Sequence, residues 1–532
     1  MAQRTLPQFI PRLAAKKVYK FIGLMYILND IKKISPFKII MVKSATGALL
    51  GTLEIKRNSK IPLYRQIEDK LRQMILNGAL KAKQKLPSTR ELAIELTVSR
   101  ITIKSVYEQL IAEGYVKAKI GAGTFVSEGL DAEKPLIPAL KTVNEIFCSK
   151  PLSIDAERIS LSKASTSYGS IMPFRPGVPA LDKFPLKKWK RCVTRAMKEQ
   201  NHSYFSYGEP TGATDLRNSI SSHLVDSRGL QVKPSQIVIT SGAQQAFVLI
   251  SFVLLNLEDT VWYENPGHIA GREVMNIVGA KVKPVPIDEE GLDLNYAIRN
   301  YPSPKLIFTT PSHQQPLGIT MSLSRRLALI KHAHANDAWI IEDDYDSEFR
   351  YRGRPLPALS ALDNTGRVLY VGTFSKSMFS AIRIGYVVVP EFLIEPFAKA
   401  RNILGQSSSP VTELALAQFL SSGGFSEHIR KMRRIYHERK DSLLNALQCY
   451  CGDTLSPRKT DAGMHIIADL KIEIEDWAVH KSLLTAGIDS LPLSIYYQTP
   501  INRSALVLGF TNCSQKVITK LVCEMAEVLR KF

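Results

Sequence analysis

The chain has 532 residues, 45% of them hydrophobic, which is too long for one ordinary domain and enough to bury two or three cores. Seventy Lys and Arg against 49 Asp and Glu leave a formal net charge of +21, large enough to suggest a polyanionic partner. The longest apolar stretch, "AFVLISFVLLNL", falls short of the ~18 residues of a transmembrane helix, and the six scattered cysteines fit neither a disulfide framework nor a metal site. A cytoplasmic, reducing setting with free thiols, no bound metal and no membrane partner is therefore expected.

The first forty residues carry eight Lys and Arg against the single acid Asp30 and include "VYKFIGLMYIL", without the apolar core and small-residue cleavage site of a signal peptide. Translation is expected to begin at Met41, with residues 1–54 a basic extension outside the folded pattern. From Pro62 to Asn77 apolar positions 63, 67, 71, 74 and 75 recur at helical spacing, closed by Gly78. Ser88 with Glu91 forms a capping box for a second short helix, and Ser99 opens a third that runs to about Glu113. "YVKAKIGAGTFV" then reads as a hairpin turning at Gly121-Ala122-Gly123. Three helices and a hairpin predict a winged helix-turn-helix (α+β) over residues 55–128.

In such a module the second helix of the pair lies in the major groove with its N-terminal residues at base edges. Here that tip is Ser99-Arg100-Ile101-Thr102, with Lys104 on the next turn. Arg100 suits a guanine, Thr102 a hydroxyl contact and Lys104 a phosphate, while Arg90 points toward the same duplex face. Ordinary solvated charges are the alternative.

Residues 129–170 carry prolines, mixed charge and weak periodicity, and read as a linker with some helix. Beyond them, in 171–532, short apolar strands ("QIVIT", "TVWYE", "KLIFTT", "WIIEDD", "VLYVGT", "RIGYVVV") alternate with helices. That rhythm predicts an α/β domain with a largely parallel sheet and a ligand site at the strand carboxyl ends. From about Val411 the chain turns helical, followed by shorter mixed elements to Phe532.

At one of those ends, "GTFSKSMFSAIRIGYVVVP" places Lys376 beside serines, with Arg383 seven residues later. Lys376 is either a snorkelling surface lysine or a Schiff-base lysine beside a phosphate site. Pyridoxal 5'-phosphate needs a lysine, an acid at its pyridine nitrogen, phosphate donors, and a group near its phenolic oxygen. Asp343 in "IIEDDYDSEF" supplies the acid and Tyr345 the phenolic partner. Ser241-Gly242-Ala243 opens a helix whose backbone N–H groups favour an anion, and Thr373, Ser375 and Arg383 complete a phosphate cup. A run of acids after a strand also fits a metal site or a solvated loop.

The stretch "LPSTRELA…TVSRITIKSVYEQLIAEGYV…GAGTFV" resembles the GntR family of bacterial transcription factors. The resemblance implies that Arg90, Arg100, Thr102, Lys104 and the wing-tip Gly121 approach DNA. Ile101 stands where relatives often have a polar residue, so one base contact is expected to be missing. The order Gly242-Ala243, "YENPG", "TTPSHQQPLG", Asp343-Asp344-Tyr345, Ser375-Lys376 and Arg383 resembles fold-type I aminotransferases. Both halves together resemble the MocR/GabR/PdxR subfamily over about residues 55–530. This implies a homodimeric transcriptional regulator that binds operator DNA and senses pyridoxal phosphate, or an amine or amino acid reacting with it. A working aminotransferase with a DNA-binding appendage, and a repressor whose α/β domain is only a dimerisation scaffold, are the competing functions. Two departures stand out. His268 replaces a ring-stacking tyrosine after "ENPG", and the apolar "LVLGF" (Leu506 to Phe510) stands where aminotransferases carry a carboxylate-binding arginine, which argues against turnover of ordinary amino acids.

Overall fold

The computed structural model describes residues 53–129, 153–160, 162, 171–198, 208–353, 357–405, 408–471 and 473–532. The basic extension up to residue 52, and with it the Met41 start, lies outside the described residues, as does most of the linker apart from a helix at Ile154–Ser160. The chain divides into two units, Met1–Lys150 and Pro151–Phe532.

In the first unit, helices α1 (Leu63–Leu76), α2 (Thr89–Glu95) and α3 (Arg100–Ala112) precede strands β1 (Val116–Lys119) and β2 (Gly123–Val126). The apolar residues of α1 at four-residue spacing, Ile67, Leu71 and Ile75, meet Leu92, Ile103, Val106, Leu110, Val116 and Val126 in one core. Ser88 accepts from the Glu91 amide at 3.2 Å while Glu91 accepts from the Ser88 amide at 2.8 Å, so the capping box forms as the sequence implies. Tyr107 of α3 donates to the Pro87 carbonyl at 2.9 Å and ties the recognition helix to the entry of α2. β1 and β2 pair antiparallel from Val116↔Val126 to Lys119↔Gly123, and Gly121 turns the wing at φ 76°.

The second unit is built on eight strands: β3 (Ile237–Thr240), β4 (Thr260–Asn265), β5 (Lys281–Asp288), β6 (Gly291–Leu292), β7 (Leu306–Thr309), β8 (Trp339–Asp344), β9 (Val368–Thr373) and β10 (Gly385–Val388). Their order is β3-β10-β9-β8-β7-β4-β5-β6. The five from β5 through β4, β7 and β8 to β9 run parallel, whereas β10 is antiparallel to both β3 and β9. All six strands anticipated from sequence are present. β5 was not anticipated, because "KVKPVPID" carries Pro284 and Pro286. The two prolines are two residues apart, so both missing N–H groups fall on one side of the strand, away from β4.

Beyond the sheet, the helical stretch after Val411 is two helices, Pro410–Ser421 and Gly424–Cys451, divided at Gly423 with φ 73°. A second, antiparallel sheet follows, made of β11 (Leu455–Pro457), β12 (His465–Leu470), β13 (Leu491–Pro492) and β14 (Ala505–Gly509). The segment before the first large-unit helices packs along this sheet: the Gly509 amide donates to the Phe174 carbonyl at 2.7 Å, and the Asp489 amide to that of Pro173 at 2.9 Å. A Cβ at Gly509 would lie 2.4 Å from the Arg175 carbonyl oxygen, which is backbone and cannot swing aside. Gly509→Ala is therefore expected to destabilise the large unit by about 1–3 kcal/mol, measured as a lowered midpoint in denaturant unfolding.

Candidate functional site

Two groups of residues carry chemistry, one in each unit. In the first, Ser99 caps α3 by accepting from the Thr102 amide at 3.0 Å, and the two hydroxyls lie 2.8 Å apart. That cap holds the tip of the helix and sets the Thr102 hydroxyl, expected to reach a base, beside that of Ser99. Arg100 and Arg90 are exposed, Arg100 making one long contact of 3.4 Å to the Thr89 hydroxyl. Lys104 is exposed and lies 3.7 Å from Glu108. Lys85 and Lys119 stand over the Phe125 ring at 6.0 and 5.5 Å, a pair of cations at the base of the wing that the sequence reading passed over.

In the second unit the residues singled out from sequence converge at the carboxyl ends of the parallel strands. The acids of β8 and its following turn are distributed by their partners. Glu342 accepts from the amides of Leu359 and Ser360 at 2.7 and 2.8 Å. Asp344 meets the Arg228 guanidinium at 2.8 Å and the Tyr370 hydroxyl at 2.5 Å, and Asp346 lies 3.1 Å from His313 Nδ1. Of the three acids in β8, Asp343 alone joins no hydrogen bond or ion pair among the described residues; it is 3% exposed, and its Oδ1, like those of Asp344 and Asp346, is buried without a partner. Burial, with Asp344, Glu264 and Asp346 nearby, pushes its carboxyl well above the usual carboxylate range.

Lys376, just after β9, donates from Nζ to the Gly177 carbonyl at 3.1 Å. Burial lowers its pKa, opposed by Asp346 and Asp343. Gly177 sits at φ 72°, and a Cβ there would lie 2.7 Å from Nζ, so the "RPGVP" segment is glycine where the lysine passes. Gly242, at φ 110°, precedes the helix Ala243–Leu254, which has no side-chain cap. A Cβ on Gly242 would lie 4.0 Å from Arg383 Nη1, so guanidinium and helix start face one another. Arg383 is exposed and held in the left-handed region at φ 50°. Two amides of the expected cup are already used: Ser241 N donates to Gln245 at 2.6 Å, and Ser375 N to the Thr373 hydroxyl at 3.2 Å.

His268 does more than replace a stacking ring. Its Nδ1 accepts from the Gly271 amide at 3.2 Å and caps the helix Ile269–Ile277, and its ring lies nearly parallel to Phe308 at 6.4 Å. Burial, with Lys376 and Arg272 nearby, holds its pKa down at about 4, so the imidazole is neutral at pH 7. The Tyr345 hydroxyl lies 3.0 Å from His313 Nδ1. His313 itself was missed as a site residue, although its motif was quoted; its position depends on Gly463, where a Cβ would lie 2.0 Å from the ring. Arg175, paired with Asp489 at 2.8 Å, was also missed, because nothing local links "PFRPG" to a lysine two hundred residues away.

Two family models match the chain, one in each unit. Residues 171–522 match the family described as "Aminotransferase class I and II", and residues 63–126 match "Bacterial regulatory proteins, gntR family". The chain is 36% identical over 467 residues to the probable rhizopine catabolism regulatory protein MocR of Rhizobium meliloti, covering 88% of this chain and 93% of that protein. The chain belongs to the MocR-type regulators. To the pyridoxine biosynthesis regulator PdxR of Corynebacterium glutamicum it is 30% identical over 491 residues, covering 90% and 99% of the two chains. Among solved structures, an archaeal alanine:glyoxylate aminotransferase superposes with a TM-score of 0.65 at 25% identity, covering 70% of this chain and 98% of that one. A kynurenine aminotransferase of Pyrococcus horikoshii superposes at 0.63 and 27%, covering 74% and 98%.

The chain is thus a DNA-binding transcriptional regulator: a GntR-family winged helix-turn-helix joined to a fold-type I aminotransferase-like domain. No helix among the described residues is long and apolar enough to cross a membrane. For this MocR-type chain, Arg100→Ala is expected to weaken specific DNA binding by about 1–3 kcal/mol and to relax discrimination at one base pair. Lys104→Ala is expected to weaken binding on all sequences alike and to flatten the salt dependence. Titration of a selected duplex and a random one at several salt concentrations separates the two effects.

Proposed function

We propose that residues 171–532 bind pyridoxal 5'-phosphate at the strand ends around Lys376, and that this ligand, or an amine or amino acid reacting with it, sets the affinity of residues 55–128 for operator DNA. The observation that carries this reading is the unpartnered, buried carboxyl of Asp343, close to the half-buried amine of Lys376. The residues present fit the group. A buried acid at the strand end without a partner suits a cationic ring nitrogen, and the uncapped helix start at Gly242 with Arg383 opposite suits a phosphate. Bound there, pyridoxal phosphate supplies an aldehyde that combines with amines and a ring that draws electrons from them.

In this reading Lys376 presents an amine whose pKa burial has lowered, which raises its neutral fraction. Asp343 holds the ring nitrogen's proton. Tyr345 and His313 would serve the phenolic oxygen, Thr373, Ser375, Ala243 and Arg383 would hold the phosphate, and the neutral His268 would supply a ring to stack on the cofactor. The buried, apolar β14 and Phe510 offer no cation to a substrate carboxylate, which favours a sensor over a working aminotransferase. The protein acts on DNA as a cytoplasmic homodimer.

Lys376→Ala is expected to lose the visible absorbance of protein-bound cofactor and to retain a folded helix-turn-helix, which has its own core. Operator titrations of wild type, with and without pyridoxal phosphate, and of Lys376→Ala test the coupling, expected at about 1–3 kcal/mol. Coincident curves in a protein that carries the cofactor would overturn cofactor control of DNA binding. A ligand must prefer one of two arrangements to shift anything.

Asp343 yields a pH prediction. Its folded-state pKa is raised, so its favourable contribution is complete below the unfolded carboxyl value of about 4 and is lost as pH rises through the folded value. Without cofactor, Asp343→Asn is expected to melt above wild type at pH 8 and to converge with it in acid. With pyridoxal phosphate added, the wild type is expected to gain more in melting temperature than Asp343→Asn, because only the carboxylate pairs with a cationic ring nitrogen.

A further inference from the structure

Ile101 is 79% exposed on the first turn of α3. A lone exposed isoleucine is ordinary on a protein surface, so its position must carry the argument. The buried face of α3, Ile103, Val106, Tyr107 and Leu110, turns Ile101, Lys104, Ser105 and Glu108 outward. In a helix-turn-helix that outward first turn is the part that meets base edges in the major groove.

The neighbours on that turn are unequally available. The Thr102 hydroxyl is held by Ser99 at 2.8 Å, and Lys104 is drawn toward Glu108 at 3.7 Å. Arg100 and Ile101 are left at the tip, one with a fork of donors and one with neither donor nor acceptor. A guanidinium matches the guanine edge, whereas the apolar feature that the major groove offers an aliphatic side chain is the thymine C5-methyl.

We infer that Ile101 reads a thymine methyl beside the guanine contacted by Arg100, so that the apolar residue in this position changes the base read instead of deleting a contact. The inference rests on the chain's being a DNA-binding regulator through α3. It makes Ile101 a specificity residue for a guanine–thymine neighbour pair in each half-site.

The test uses duplexes selected from random sequence by the full-length protein. Thymines are replaced one at a time by deoxyuridine, which removes only the C5-methyl, and binding is measured for wild type, Ile101→Ala, Ile101→Val and Arg100→Ala. One thymine per half-site, adjacent to the guanine whose replacement no longer matters in Arg100→Ala, is expected to respond. There deoxyuridine should weaken wild-type binding about 3- to 10-fold, the effect of losing one buried methyl. Ile101→Val should keep that response and Ile101→Ala should lose it, with melting temperatures unchanged because the side chain is exposed. A wild type indifferent to every single replacement, or an Ile101→Ala that responds as the wild type does, overturns the assignment of Ile101. A wild type that selects no duplex at all overturns the DNA-binding reading and the inference together.

Discussion

A carboxyl group buried without a partner is costly, and the large unit is arranged around one. Asp343 is the last residue but one of the parallel strand β8, and Glu342, Asp344 and Asp346 around it each have partners of their own. Backbone amides of a short helix hold Glu342, Arg228 and Tyr370 hold Asp344, and His313 holds Asp346. Without those devices the strand end would be a cluster of like charges, each raising the others' pKa. With them, one acid remains free to answer a cation brought from outside. Arg228, on the helix Thr214–Arg228, also donates to Ser312 at 2.6 Å, so the same guanidinium braces the loop that carries His313.

Close backbone approach is the second constraint. Gly177 lets its carbonyl accept from Lys376, Gly242 lets β3 turn sharply into its helix beside Arg383, and Gly463 leaves room for the His313 ring. Each occupies a position with positive φ, where a side chain would be strained, and at Gly177 and Gly463 it would also meet a neighbour. These glycines come from three separate parts of the chain, so the cleft exists only once the large unit has closed around it. The lysine is not positioned by its own serines so much as by a segment two hundred residues earlier.

The small unit solves a different problem with fewer residues. One core of about a dozen side chains, a capping box and the Tyr107–Pro87 tie hold α2 and α3 in place. Its outward residues are then free to be chosen for a partner. That economy explains why Arg90, Arg100 and Lys104 are all exposed while the Ser99 hydroxyl caps the helix.

Local periodicity and turn chemistry determined the three helices, the wing, six strands of the large sheet and the family resemblance, because 3.6-residue and two-residue patterns, caps and short motifs are written in neighbouring residues. Lys376, Asp343, Gly242 and Arg383 could be singled out for the same reason, each standing in or beside a recognisable strand. The prolines of β5 hid a strand, since only the sheet shows that their missing N–H groups fall away from β4. Tertiary structure alone decided that Asp343 is the acid of β8 left without a partner, that the Gly177 carbonyl meets Lys376, and that His313 meets Tyr345 and Asp346. Those facts depend on which distant groups arrive beside a residue, and in a folded chain the partner, more than the residue type, determines whether a buried polar group is satisfied or available.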